Sequence, residues 1–114
     1  GLLPLVYWCI FLNNTNMIIQ QLFEKIETSS TPLAQALHKN EHSKALAIVF
    51  KKGMRLKEHK AIIPSTLLVI KGEVVYKDIS TTLTVHLYEN YNIPVNVIHE
   101  VEALEDAICI LLQG

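Results

Sequence analysis

An all-β sandwich or barrel, preceded by one short helix, is the fold class this sequence predicts, and three observations predict it. From Lys44 onward the apolar residues alternate or fall in short blocks: Leu67-Leu68-Val69-Ile70, Val74-Val75-Tyr76, Leu83-Val85-Leu87, Val95-Val97 and Ala107 to Leu112. Turn signals at Lys52-Gly53, Lys71-Gly72, Lys77 to Ser80, Glu89-Asn90 and Glu105-Asp106 separate these blocks at intervals of about 8 to 12 residues, the rhythm of antiparallel all-β folds. A helical period occurs near the amino end, where Ile18, Ile19, Leu22, Phe23 and Ile26 recur on one face.

Taken in order, residues 1–16 open on an apolar run, Gly1 to Leu12. It is too short to span a bilayer, which takes about 20 residues, and it lacks the basic stretch that precedes a secretory core. An initial Gly without Met reads as a tag remnant or an upstream extension. Left in place, so apolar a segment is expected to pack as an extra strand or as an arm on a neighbouring subunit. Residues 17–32 form the helix and its linker, with Asn14, Thr15 or Asn16 available as N-cap and Ser29-Ser30-Thr31-Pro32 as the stop. Residues 33–114 make the barrel. Its first part, Leu33 to Lys51, reads as a hairpin turning at Asn40-Glu41-His42-Ser43. In that reading His38 and His42 lose the meaning that four-residue spacing has on a helix.

Composition bounds the function. A chain of 114 residues, half of them apolar, buries one core and not two. A formal net charge of −1 supplies no field for phosphate, so neither nucleic acid nor an anionic membrane is an expected partner. The cluster Lys51, Lys52, Arg55, Lys57 and Lys60 reads as a solvated sheet edge. Cys9 and Cys109 are too few for a disulfide scaffold and form no CxxC pair, which fits a reducing, cytoplasmic setting with both thiols buried. Neither a P-loop, a dinucleotide fingerprint nor a nucleophile triad motif occurs, so kinase, dehydrogenase and hydrolase readings find no support.

The chemistry lies in a spacing. Gly53 and His59 stand as G-x5-H, Gly72 follows His59 as H-x12-G, and His99 comes five residues after Pro94. In an antiparallel barrel alternate side chains point inward, so histidines from two neighbouring strands meet at the mouth. Gly53 and Gly72 mark tight turns.

The run Gly53 to Val74 resembles the first motif of the cupin superfamily, a glycine followed at fixed intervals by His-x-His, a glutamate and a closing glycine. Pro94-Val-Asn96-Val-Ile-His99 resembles the second, Pro-x-Gly-x-x-His. The resemblance covers residues 33 to 113, about 70 percent of the chain, and is to small single-domain bacterial cupins. It implies a double-stranded β-helix, or jelly-roll, barrel. It also implies a site of three His and one Glu around a divalent ion such as zinc, nickel, iron or manganese. Here Ala61 stands at the second histidine's position and Ser65 at the glutamate's, leaving His59 and His99 as matching metal ligands. Two imidazoles fall short of the three or four protein ligands of a firm first-row site, so no cofactor is firmly implied. Glu58, Glu100 or His86 would have to complete such a shell, and strand alternation turns Glu100 outward. Asn96 and Tyr88 also stand where the resemblance has glycine.

The expected ligand-binding residues are therefore His59, Ser65 and His99, in a pocket otherwise apolar. His59 and His99 also have a purely structural reading, in which they bond to each other or to a backbone carbonyl. Tyr76, Tyr88, Tyr91 and Phe50 read as core or rim aromatics. The favoured function is a small-molecule-binding barrel of unassigned role, acting as a homodimer. One alternative is a metal-dependent isomerase or dioxygenase-like enzyme using His59 and His99; the other is a dimeric structural or regulatory module.

Overall fold

The computed structural model describes residues 17–114; the expectations for residues 1–16, including a buried Cys9, fall outside them. Helix α1 (Ile18–Lys25) tightens into a 3-10 turn (Ile26–Thr28). Strands follow as β1 (Leu33–Lys39), β2 (Lys44–Phe50), β3 (Arg55–His59), β4 (Ser65–Lys71), β5 (Val74–Asp78), β6 (Thr82–Val85), β7 (Asn90–Ile93), β8 (His99–Ala103) and β9 (Ala107–Gln113). They form a five-stranded sheet in the order β1-β2-β9-β4-β7 and a four-stranded sheet in the order β3-β8-β5-β6, antiparallel throughout. The fold class expected from the sequence, a two-sheet jelly-roll barrel behind a short helix, is the one observed.

Alternation builds the core. Leu67 and Val69 of β4, Cys109 and Leu111 of β9, and Ile48 and Phe50 of β2 face Val74 and Tyr76 of β5 and Val101 and Ala103 of β8 across the barrel. The other faces of β2 and β9 are also covered, because Ala47, Val49, Ile108 and Ile110 take the apolar side of α1 through Leu22 and that of the 3-10 turn through Ile26. Burial on both faces explains why these two strands read as continuous apolar runs. Burying Leu22 and Ile26 contributes about 1.5–3 kcal/mol each. Lys71 lies 5.6 Å over the Phe23 ring and ties the helix to β4.

Local chemistry sets the ends of elements. Met17 occupies the N-cap of α1 without a side-chain hydrogen bond, in place of the expected Asn14, Thr15 or Asn16, which lie outside the described residues. The β1–β2 hairpin turns on Asn40, whose Oδ1 accepts the backbone N–H of His42 and of Ser43, each at 2.9 Å. The basic cluster falls as expected around an edge strand, β3. Arg55 lies 3.7 Å from Glu100 and 3.5 Å from Glu102, while Lys51 bonds Glu27 at 2.7 Å.

One expected strand is cut short and another is a turn. Leu83-Val85-Leu87 stops at Val85 because the chain must cross from one sheet to the other, and Tyr88 takes a positive φ of 68° to make the crossing. Val95-Val97 is the return crossing, with Asn96 at φ 60° and its N–H donated to the Ala61 carbonyl at 2.8 Å. Both are positions where the resemblance has glycine, and both keep glycine's backbone conformation. Conversely, Asn90, read as a turn residue, begins β7.

Two aspartates anchor turns. Asp106 accepts the Lys52 N–H at 2.9 Å, and that bond, with the nearby Lys51, holds its carboxyl below the usual range. Asp78 is held low by the Tyr76 hydroxyl first and then by the Ser80 and Thr81 N–H groups. A carboxyl depressed in the folded state stabilises above its ordinary pKa, near 3.8, and that stability is lost as pH falls through the folded value. Urea melts at stepped pH should therefore be level near neutrality and weaken below about pH 4, with a shallower acid limb in Asp106→Asn. Acid limbs that superimpose would refute the assignment.

Candidate ligand site at the barrel mouth

The topology brings the three sequence-predicted residues to one end of the barrel. His59 is the last residue of β3, Ser65 the first of β4 and His99 the first of β8. The connections there, 60–64 and 94–98, are joined by the Asn96 to Ala61 hydrogen bond. His59 and His99 are direct Cα partners across β3 and β8, beside a bulge, and Asp78 of β5 is the next partner of His99. The side chains of His59 and Glu58 lie outside the described part of the structure.

His99 is 3% exposed, with Nδ1 3.0 Å from the Val97 carbonyl oxygen. Its ring stacks on Tyr76 at 5.6 Å between centroids, and Tyr76 in turn meets Tyr91 at 4.6 Å. The Tyr76 hydroxyl donates to Asp78 Oδ2. Burial, reinforced by that bond, pushes the phenol's pKa well above its ordinary value, so it stays a donor. On the opposite sheet the buried Ser65 hydroxyl donates to the Ile63 carbonyl and accepts from Gln113 Nε2, both at 3.1 Å. Ser65 and Gln113 border a cavity of about 610 Å³, together with Thr66, Asn92, Ile93 and Val95. His99 is not on that wall.

Other candidates are placed elsewhere. Glu100 turns away from the core toward Arg55, as strand alternation requires. His86 is exposed in the turn after β6 with Nδ1 2.8 Å from Glu73. His42 is exposed on the β1–β2 hairpin, and His38, also exposed there, reaches the rim of the cavity. Phe50 and Tyr76 are core residues and Tyr91 packs on the core, whereas Tyr88 is exposed. Cys109 is free and buried, and desolvation pushes its thiol up to about 12, so it serves as a small apolar core residue.

The donor set does not fit a firm metal centre. Ala61 offers a methyl group, the Ser65 hydroxyl is committed to Ile63 and Gln113, and Asp78 is engaged by Tyr76, Ser80 and Thr81. Among the described residues no three His, Cys, Asp or Glu side chains converge. Sequence reasoning missed Asp78, hidden in a turn signal, and Thr66, Asn92 and Gln113, which only strand register brings together.

Two antiparallel sheets closed in this order, with strand-terminal histidines at one mouth, define a cupin-fold barrel. Solved structures carry the same fold. A cupin superfamily protein from Desulfitobacterium hafniense matches with a TM-score of 0.70 at 15% identity, over 75% of this chain and 78% of that one. An RmlC-like cupin from Shewanella frigidimarina matches at 0.69 and 20% identity, over 75% and 78%. A Streptococcus pyogenes protein of unknown function matches at 0.67 and 15% identity, over 75% of each. No family model matches the chain, and no curated protein does. At these identities the likeness is one of fold, which does not select a chemistry. No helix among the described residues is long and apolar enough to cross a membrane.

Proposed function

We propose that this chain is a small-molecule-binding cupin-fold barrel whose ligand seats against Ser65 and Gln113 at the mouth end, the end at which His59 and His99 also stand. The observation that carries the reading is the cavity of about 610 Å³ against Ser65, at the end of the barrel where His59 ends β3 and His99 begins β8. Its volume lies within the range of ordinary ligand sites, and its wall mixes apolar side chains with a few hydroxyl and amide groups, as such sites do. A metal-assisted reaction is the weaker reading, since the described residues leave an ion without a third or fourth ligand.

A thermal-shift screen of small carboxylates and sugars tests the proposal. A stabilising compound is expected, with its effect reduced in Ser65→Val, which fills the space beside the hydroxyl. A blank screen overturns the proposal. One equivalent of a transition metal that survives chelator treatment and disappears in His59→Ala would replace it with the metal-dependent reading.

A further inference from the structure

Strand register gives the core-side face of the five-stranded sheet a polar last layer. One line of pairings sets Lys44 opposite Gln113, Gln113 opposite Ser65 and Ser65 opposite Ile93. Two residues deeper along the same strands, the line Leu46-Leu111-Leu67-Tyr91 belongs to the barrel core. Side chains two apart on a strand share a face, so Lys44, Gln113, Ser65 and Ile93 point to the core side as well. All four border the mouth cavity. The cavity also passes round the strand ends to Ala45, Leu112 and Thr66, which alternation turns to the outer face.

The core-side layer is rich in donors and lacks an anion. The Ser65 hydroxyl is engaged by the Ile63 carbonyl and by Gln113 Nε2, which orients the Gln113 amide and leaves its second N–H to offer. Lys44, the neighbour of Gln113 on β2, also stands directly opposite Lys39 of β1, and like charges so placed destabilise a strand pair. Among the described residues no ion pair joins Lys39 or Lys44 to a carboxylate. Asp78, which continues the core-side alternation of Val74 and Tyr76 on the other sheet, is engaged by Tyr76, Ser80 and Thr81. An anion beside Lys44 offsets the repulsion, and the adjacent amide gives the same group a second donor. From Lys44 the layer runs three strand spacings to Ile93, about 14 Å in all. Ile93 is 5% exposed, and with Val95 and Pro64 it makes that end of the wall apolar.

We propose that this layer binds a small organic acid, its carboxylate between the Lys44 ammonium and the Gln113 amide and its apolar body directed past Ser65 toward Ile93, Val95 and Pro64. The inference rests on the mouth cavity being a ligand site and names the class of ligand. Hexanoate, its neutral counterpart hexanamide and acetate, each titrated into the isotope-labelled full chain, test it through side-chain amide and methyl signals, which report one face of the sheet at a time. Hexanoate is expected to move the Gln113 side-chain amide and the Ile93 methyl signals, with affinity about tenfold weaker in Lys44→Met, the size of one lost charge-assisted hydrogen bond. Lys39→Met removes the same like-charge pair from a residue that does not border the cavity. Both variants should therefore raise the denaturation midpoint without ligand, and only Lys44→Met should weaken hexanoate. Hexanamide should bind the unaltered chain about as weakly as hexanoate binds Lys44→Met, and acetate more weakly than hexanoate. Hexanamide binding as tightly as hexanoate, or an equal loss in Lys39→Met, would overturn the carboxylate anchor while leaving the cavity as a ligand site. Acetate binding as tightly would overturn the apolar body. Shifts confined to the Ala45 and Leu112 methyl signals would move the ligand to the outer face and overturn the assignment to this layer. If neither hexanoate nor hexanamide moves any signal of the cavity wall, both this inference and the cavity reading fall.

Discussion

Replacing Gly72 with alanine should destabilise the fold by about 2–5 kcal/mol, far more than the same change at Gly53. Both glycines hold a positive φ, 71° at Gly72 and 86° at Gly53, and for an L-residue that conformation alone costs about 1–2 kcal/mol. They differ in surroundings. A Cβ on Gly72 would sit 2.3 Å from the Asp106 carbonyl oxygen and 3.1 Å from the Ala107 Cα, whereas a Cβ on Gly53 meets nothing within 4 Å. Backbone atoms cannot swing aside as a side chain does, so the β4–β5 turn must move away from the start of β9, which adds about 1–3 kcal/mol. Asp106 is also the residue that binds the Lys52 N–H, so the disturbance reaches the β2–β3 turn. Urea midpoints of the two variants measure the difference. Equal losses would show that conformational strain, and not close approach, explains Gly72.

The same contrast bears on what could be read without coordinates. Gly53 and Gly72 were legible because glycine announces a special backbone, and β2, β4, β5 and β9 because an alternating or doubly buried strand must be apolar where it is buried. β7 was not, since Asn90 and Asn92 carry turn propensity and become strand residues only by pairing with β4. Val95 and Val97 show the reverse: β-branched residues in a crossing whose conformation is held by the Ala61 carbonyl, a contact 35 residues back along the chain. The site divides along the same line. His59 and His99 were legible from spacing and Ser65 from the resemblance. Thr66, Asn92 and Gln113 join Ser65 at the cavity only through the register of β4 with β7 and β9, which no local pattern encodes.

Tyr76→Ala should cost about 3–5 kcal/mol, the range for removing a large aromatic from a core that cannot close over the space. The ring is fully buried and lies against both Tyr91 and His99, and such aromatic contacts add about 0.5–1.5 kcal/mol beyond burial. Its position gives the loss a functional side. Tyr76 is the surface on which His99 rests at the mouth, so the alanine variant should also broaden the His99 ring signals. Tyr76→Phe isolates the hydroxyl. It keeps the packing, and the Asp78 carboxylate retains the Ser80 and Thr81 N–H groups, so the loss near neutral pH should be much the smaller of the two. The phenol is, however, the leading cause of the low Asp78 pKa. Without it the folded-state value rises toward the ordinary one, the stability gained above that range shrinks, and the acid limb of the pH profile becomes shallower. Matched urea melts of the two variants at neutral pH and near pH 3 would distinguish these effects. Equal destabilisation by alanine and phenylalanine at neutral pH would mean that the Asp78 bond, and not the stacked ring, holds this end of the barrel together.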